Sequence, residues 1–154
     1  MPHFKTRHKV AHSADDMFAL VADVRKYPEF VPLCQALRVR GESDLSNGKR
    51  VIVADMTVAY RMFRETFTSR VELDPKARKI LVTYLDGPFK KMENQWSFEE
   101  ISPASSTVVF DIDYEFRSRT LGSLMGAMFD RAFRKFSTAF EERADALYGA
   151  STAA

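Results

Sequence analysis

Apolar and polar side chains alternate along two segments of the chain, 92–101 and 107–116. A period of two residues is typical of strands with one buried and one solvated face, as in an antiparallel sheet covered on a single side. We therefore expect these segments to be two strands of such a sheet. Their predicted inner faces carry Met92, Asn94, Trp96 and Phe98 in the first segment, and Phe110, Ile112 and Tyr114 in the second.

A different period follows these strands, with apolar residues recurring every three or four positions. The segment from about Thr120 to Tyr148 contains no proline, and its apolar residues form one stripe. This spacing predicts a single amphipathic helix. At 1.5 Å per residue the helix is about 40 Å long. We expect its stripe, which includes Met125, Phe129, Phe133 and Phe136, to cover the sheet.

The preceding part of the chain predicts a strand at 3–11 and a short helix with Ser13 as its N-cap. The proline-interrupted segment 27–34 is interpreted as a second short helix or a structured loop. Four further strands are expected at about 36–40, 50–61, 64–73 and 79–85. This order predicts an α+β fold of two layers, with a sheet of about seven strands. We assign 1–148 to one domain and 149–154 to a short flexible tail.

Composition and charge narrow the functional classes. The chain has 154 residues, 45% of them hydrophobic and 29% charged, which is typical of a globular domain. A net charge of +2 disfavours a DNA partner bound through charge. The single cysteine, Cys34, the polar start and the lack of a long apolar run favour a cytoplasmic location. The 13 phenylalanines and 7 methionines indicate either a bulky core or an apolar pocket.

No pattern of catalytic or metal-binding residues is recognisable. The sequence lacks a serine elbow, a glycine-rich phosphate loop and the common zinc-binding spacings. His3, His8 and His12 have no acidic or cysteine partner nearby in the sequence, and the acidic stripe at 111–115 is interpreted as a solvated outer face. We expect no metal site, no covalently bound cofactor and no enzyme activity. A cyclase-type enzyme with scattered cavity residues remains an alternative.

Three blocks of the sequence resemble a known family. They are DVRKYPEFVPLC at 23–34, LDGPFK followed by NQWSF within 85–98, and AFEERA followed by LYG within 139–149. Together they are similar to the coenzyme Q-binding and ribosome-association toxin family of START-like, polyketide cyclase-like domains. The resemblance implies a helix-grip fold, in which a curved antiparallel sheet wraps around the C-terminal helix and leaves a cavity between them.

For function, the resemblance implies a non-enzymatic carrier or chaperone that binds ubiquinone, a polyprenyl quinone, in support of respiratory electron transport. Exposing one five-carbon prenyl unit to water costs about 4 kcal/mol, so the tail needs an apolar sleeve. A solid core made of the same side chains is the alternative. The residues predicted to line the cavity are Val31, Pro32, Leu33, Met92, Asn94, Trp96, Phe98, Phe110, Ile112, Tyr114, Met125, Phe129, Phe133 and Phe136.

Two further expectations concern the ligand's head group and the cavity opening. Asn94, Trp96 and Tyr114 are candidate donors to a quinone carbonyl. Buried polar groups satisfied by the backbone or by water are the alternative. A lip that rests on anionic lipid at the inner membrane face is one interpretation of the start of the long helix, and a helix entry with solvated arginines is the alternative. That lip comprises Arg117, Arg119, Leu121 and Leu124, with the segment 30–33 opposite. The toxin branch of the family implies an alternative partner, the large ribosomal subunit, whose joining the protein would inhibit.

Overall fold

The computed structural model describes residues 3–60 and 62–149. Of the predicted tail, 150–154 lie outside the described residues. The helices are α1 (Ala14–Ala22), a 3₁₀ helix (Val24–Glu29) and α2 (Arg119–Tyr148). The strands are β1 (His3–Val10), β2 (Cys34–Asp44), β3 (Arg50–Tyr60), β4 (Phe63–Asp74), β5 (Lys79–Asp86), β6 (Phe89–Ser102) and β7 (Ser105–Phe116).

The strands form one antiparallel sheet of seven strands in the order β1-β7-β6-β5-β4-β3-β2. The predicted α+β architecture, a curved sheet with one long terminal helix, is confirmed. β2 runs well beyond the predicted segment 36–40. Its pairing with β3 shifts register between Cys34 and Ala36 and again between Val39 and Gly41. These bulges interrupt the alternation from which a strand is recognised.

Helix α1 begins as predicted at Ser13, whose Oγ accepts a hydrogen bond from the backbone N of Asp16 at 3.1 Å. This satisfies one of the amide groups left free at a helix start. The helix packs against β6, β7 and α2. The proline-interrupted segment after it forms the 3₁₀ helix, which contains Pro28. The Tyr27 hydroxyl donates back to the carbonyl oxygen of Val21 and so ties this segment to α1.

Helix α2 has 30 residues, which corresponds to about 45 Å. Ser118 caps its start, accepting a hydrogen bond from the backbone N of Leu121 at 3.1 Å. Gly149 ends it with φ at +87°, a conformation that glycine adopts without penalty. The backbone of α2 comes closest to β1, β7 and α1. Side chains fill part of the space between α2 and the middle strands, and the rest is a void.

Candidate functional site

A cavity of about 110 Å³ lies between the inner face of the sheet and α2. A void needs only about 10–15 Å³ to hold one water molecule, and an apolar cavity of about 150 Å³ accepts a benzene ring. The interior is therefore hollow on the scale of a single ring. Nearly all of its wall is aliphatic or aromatic, with Tyr27, Ser69 and Asn94 as its polar side chains apart from the indole of Trp96.

Small side chains explain why the void is there. Ala54 of β3 and Ser69 of β4 lie directly opposite each other in the sheet, and both line the cavity. Ala132 of α2 lines it from the helix side. Protein interiors elsewhere are close-packed, so short side chains on two facing layers leave space that their neighbours do not fill. The cavity is thus a consequence of these three positions in an otherwise bulky core.

Most of the residues predicted to line a cavity are brought together at its wall. Three are not: Phe98, Tyr114 and Met125 are buried elsewhere in the core. The structure places the others around one void, namely Val31, Pro32, Leu33, Met92, Asn94, Trp96, Phe110, Ile112, Phe129, Phe133 and Phe136.

Phe98 and Tyr114 face the inner side of the sheet and Met125 is buried on α2, but none of the three lines the void. Phe98 packs edge-on against Phe18 of α1, with ring centroids 5.8 Å apart. Tyr114 packs against Phe133, at 5.3 Å. Met125 is only 1% exposed and belongs to the core beneath the start of α2. Alternation identifies the face of a strand but not how far along it a cavity extends.

The opposite wall of the cavity was missed by sequence reasoning. This wall is formed by β2 to β5, by Phe89 of β6, by the 3₁₀ helix and by Phe140 of α2. β3 and β5 carry apolar residues on both faces, so their inward positions could not be chosen from alternation. In β4, by contrast, Phe67, Ser69 and Val71 alternate with polar residues, and this pattern could have identified the inward face. The additional lining residues are Val24, Tyr27, Leu37, Ala54, Met56, Val58, Phe67, Ser69, Val71, Ile80, Val82, Phe89 and Phe140, together with Ala132 of α2.

The candidate head-group donors are arranged differently from the expectation. Trp96 Nε1 donates to Asn94 Oδ1 at 2.9 Å, and Asn94 Nδ2 donates to the backbone oxygen of Asp111 at 2.9 Å. Each of these groups already has a protein partner, because the two residues are neighbours on one strand face. Tyr114 lies outside the cavity wall, and burial raises the pKa of its hydroxyl.

Ser69 differs from these groups. Its Oγ is buried and has no hydrogen-bond partner in the part of the chain that the structure describes.

Among the described residues, the cavity wall offers no group whose pKa suits acid–base catalysis near neutral pH. Tyr27 is its one ionisable lining residue among those described, and burial raises the pKa of that hydroxyl far above its ordinary value. Cys34 follows the lining residue Leu33, and burial raises the pKa of its thiol to about 11. General acids and bases work best with a pKa close to the operating pH. The arrangement therefore suits binding of an apolar molecule.

A groove of about 370 Å³ adjoins the cavity on the outside of α2 and shares Pro32, Leu33 and Ala132 with it. Leu33 has φ at +68°, an uncommon conformation for a branched residue, and it forms part of the wall between the two spaces. We call this depression the mouth groove. It is lined by Pro32, Leu33, Tyr60, Leu124, Ala127, Met128, Arg131, Ala132 and Lys135.

The predicted lip coincides with the mouth groove in part. Leu124 lines the groove and is 52% exposed. Arg117 and Arg119 are exposed but lie before and at the start of α2, and Leu121 is half-buried against the core. The basic residues of the groove, Arg131 and Lys135, are instead about two and three turns beyond Leu124 along the helix. Arg131 and Lys135 share a helix face with Leu124 because residues seven and eleven apart recur on one side.

Each of the three histidines has a carboxylate partner that is distant in the sequence. His8 pairs with Glu141 and His12 with Asp145, both through packing of α2. His3 Nε2 lies 2.6 Å from Asp111 Oδ1 and, with Asp113, forms a group whose ligand atoms lie within 4.8 Å of one another. This group lies on the outer sheet face, where the His3 side chain is 49% exposed. Its three side chains are exposed or half-buried, and we assign it no metal.

A curved antiparallel sheet that grips one long helix around an apolar cavity defines a START-like domain. A family model described as polyketide cyclase/dehydrase and lipid transport matches residues 10–141. The chain belongs to this family. Among the described residues, no helix combines the length and the apolarity needed to cross a bilayer.

Named relatives fall into two groups. The ribosome association toxin RatA of Escherichia coli is 31% identical over 150 residues, which cover 97% of this chain and 91% of that protein. The mitochondrial coenzyme Q-binding protein coq10 of Schizosaccharomyces pombe is 35% identical over 109 residues, covering 70% and 65%. An aromatase/cyclase from a Streptomyces species has a TM-score of 0.77 at 22% identity, covering 97% and 98%, and shares the fold alone.

Proposed function

We propose that this protein is a non-enzymatic carrier or chaperone that binds ubiquinone or a related polyprenyl quinone without a covalent bond. The observation that carries the proposal is the cavity itself, which is apolar, uncharged and sized for one ring. Ligand sites of this kind are largely apolar, with few polar groups to orient the ligand. The relative named for coenzyme Q binding supports a quinone as the ligand.

The mouth groove provides a path for the isoprenoid tail. Cavity and groove are separated by Leu33 and Ala132, which line both. A ring-sized void of about 110 Å³ does not hold a polyprenyl chain, so the tail follows the groove or the first half of α2 moves outward. Each prenyl unit sheltered from water contributes about 4 kcal/mol. Binding therefore gains more from tail contacts than from the head group.

The rim of the mouth groove fits a membrane surface, and we propose peripheral contact there. Met62, at the turn between β3 and β4, is 95% exposed, and Leu124 is 52% exposed. Arg131 and Lys135 form no ion pair with any described residue. Exposed apolar side chains beside basic ones suit the interface of an anionic bilayer, from which a quinone would be collected.

Extraction of the purified protein tests the proposal. The protein is expressed in a quinone-producing host, washed free of membrane, extracted with organic solvent and analysed by mass spectrometry. We expect a polyprenyl quinone in near-stoichiometric amount, and its loss in Ala132→Leu, which extends a side chain into the void. Protein that neither retains a quinone nor takes one up from vesicles contradicts the proposal.

Action on the large ribosomal subunit is a second candidate, because the relative named as a ribosome association toxin matches 97% of the chain. A partner rich in RNA requires unpaired basic residues to neutralise phosphates. Several arginines on the sheet are instead paired with carboxylates. These pairs are Arg7–Glu99, Arg40–Asp55 and Arg50–Glu42.

Sucrose-gradient profiles separate the two candidates. Under overexpression, the quinone-carrier proposal expects normal joining of ribosomal subunits. Accumulation of free subunits, undiminished in the cavity-filled variant Ala132→Leu, favours the ribosomal role instead.

A further inference from the structure

The hydroxyl group of Ser69 is the polar group of the cavity wall for which the described residues provide no hydrogen-bond partner. Ser69 is 6% exposed, lies on the inner face of β4 and lines the void. Its Oγ finds no hydrogen-bond partner among the described residues. Burying a hydroxyl without a partner is unfavourable, and buried polar groups in native structures are nearly always satisfied. An orphaned hydroxyl facing a void indicates a partner that occupies the void.

The other polar groups of the cavity wall each already have a protein partner. Trp96 donates to Asn94, Asn94 donates to the backbone of Asp111, and Tyr27 donates to the carbonyl of Val21. Ser69 is therefore the polar group of the described wall whose hydroxyl proton remains available. A serine hydroxyl offers one donor and two acceptor positions.

The position of Ser69 also matches the place where a ring would fit. Ala54 lies opposite it on the neighbouring strand, and the short side chains of Ala54, Ser69 and Ala132 are what create the void. Ala132 is shared with the mouth groove. A head group that contacts Ser69 would thus occupy the same void that adjoins the groove at Ala132.

We propose that the Ser69 hydroxyl is the polar anchor of the ligand, donating a hydrogen bond to an oxygen of a ring-sized, carbonyl-bearing head group. This inference rests on the proposed function and makes it more specific. The tail supplies most of the affinity, whereas Ser69 selects a head group that carries an acceptor. A site that provides a buried hydrogen bond discriminates against analogues that lack the matching atom.

A matched control exists within the same chain. Ser137 of α2 is also buried, at 8% exposure, and its Oγ also lacks a partner among the described residues, but it does not line the cavity. Replacement by alanine removes the same hydroxyl at both positions. Both variants are expected to fold, because the change removes an unsatisfied buried group and no contact that the core requires.

The experiment compares wild type, Ser69→Ala and Ser137→Ala by isothermal titration calorimetry. The probes are decylubiquinone and decyltoluene, a hydrocarbon with a similar ring and tail but no oxygen. We expect Ser69→Ala to weaken decylubiquinone binding about tenfold, as one neutral hydrogen bond does, and to leave decyltoluene unchanged. Ser137→Ala is expected to bind both probes like wild type.

A spectroscopic readout distinguishes the hydrogen bond from an effect on packing. In wild type, the carbonyl stretching band of bound, ¹³C-labelled decylubiquinone should lie at lower frequency than in Ser69→Ala. Equal carbonyl bands and equal affinities in the two proteins would contradict the role of Ser69 as anchor and would mean that Ser69 binds only a water molecule. The quinone-carrier proposal would remain intact. Wild type that binds neither probe overturns the proposed function and the anchor together.

Discussion

The two halves of α2 are held to the rest of the molecule in different ways. The second half, 136–148, is tied by polar side chains to β1, to α1, to the 3₁₀ helix and to the residues that join them. Its Phe140 also packs at 5.1–5.5 Å against aromatic rings on either side of it. The polar contacts are His8–Glu141 (2.8 Å), His12–Asp145 (2.6 Å), Glu29–Arg143 (2.7 Å) and Tyr148 Oη to the Asp16 carbonyl (3.3 Å).

The first half, 119–135, is held mainly by apolar packing. In the described part of the chain, its side chains form no hydrogen bond or ion pair with another element, and its pair Asp130–Arg134 lies within the helix. It contains Gly122 and Gly126, which weaken a helix, and the exposed Leu124. The mouth groove lies along this half, and Ala132 separates it from the cavity.

This difference in how the two halves of α2 are held indicates that they have separate roles. A polar network requires fixed geometry, whereas apolar contacts are non-directional and tolerate small shifts. We infer that the second half of α2 anchors the helix and that the first half moves to admit a ligand longer than the void. Regions that open for ligands are drawn from the less stable parts of a fold.

The strongest contrast is expected from enlarging one alanine in each half. Ala132 faces the void, so Ala132→Leu should abolish quinone binding and change the free energy of unfolding by less than ~1 kcal/mol. Ala144 is fully buried without adjoining the cavity, so Ala144→Leu should destabilise by about 1–3 kcal/mol. Denaturant unfolding and quinone titration measure both effects. Normal binding in Ala132→Leu would contradict the location of the site.

Removing an acidic residue from each half should also give unequal effects. The His12 side chain is 5% exposed, so Asp145→Ala leaves a buried ring nitrogen without its partner and should cost about 1–3 kcal/mol. Asp130→Ala breaks an exposed pair within the helix and should cost at most ~0.5 kcal/mol. Urea denaturation compares the two variants. Equal losses would show that the halves are held alike.

Stiffening the first half should slow ligand exchange. An added Cβ at Gly126 meets nothing within 4 Å, so Gly126→Ala should stabilise by up to about 1 kcal/mol. Amide hydrogen exchange in 119–135 and release of bound quinone should both become slower. Ala146→Gly, at an exposed position of the second half, should lower stability without changing the release rate. An unchanged release rate in Gly126→Ala would argue against movement of the first half.

Acidification should weaken the anchored half slightly. A hydrogen bond from Arg143 holds the pKa of Glu29 below its ordinary value. A carboxyl with a depressed folded-state pKa stabilises the protein above its unfolded-state pKa, and this contribution is lost as pH falls through the folded-state value. The Glu29 side chain is half-exposed, so the effect is small. Glu29→Gln should flatten the pH dependence of unfolding free energy below about pH 5; a steeper dependence would contradict this sign.

Local sequence patterns were sufficient to predict the elements of the fold that have one solvent-exposed and one buried face. The alternation in 92–101 and 107–116 identified the inner positions of β6 and β7, and Ser13 marked the start of α1. β2 was underestimated because its two bulges break that alternation. The long stripe of α2 identified the covering helix but not which of its residues line the void.

The remaining features depend on pairings that a linear pattern does not contain. Ala54 and Ser69 create the void because β3 and β4 place them opposite each other. Nothing in the sequence marks them except short side chains at inward positions of otherwise bulky strands. The partners of His8 and His12 are each 133 residues away, so their role as anchors of α2 appears only in the folded chain.

We expect the cavity beneath α2 to accept a quinone, and the fluorescence of a tryptophan in the cavity wall can report this binding. Trp96 is the single tryptophan and lines the cavity. Quinones accept electrons from excited indole, so titration with decylubiquinone should quench Trp96 fluorescence in a saturable, one-to-one manner. Ala132→Leu should abolish this quenching. Quenching that rises linearly without saturation, or that is the same in Ala132→Leu, would contradict a quinone site in this cavity.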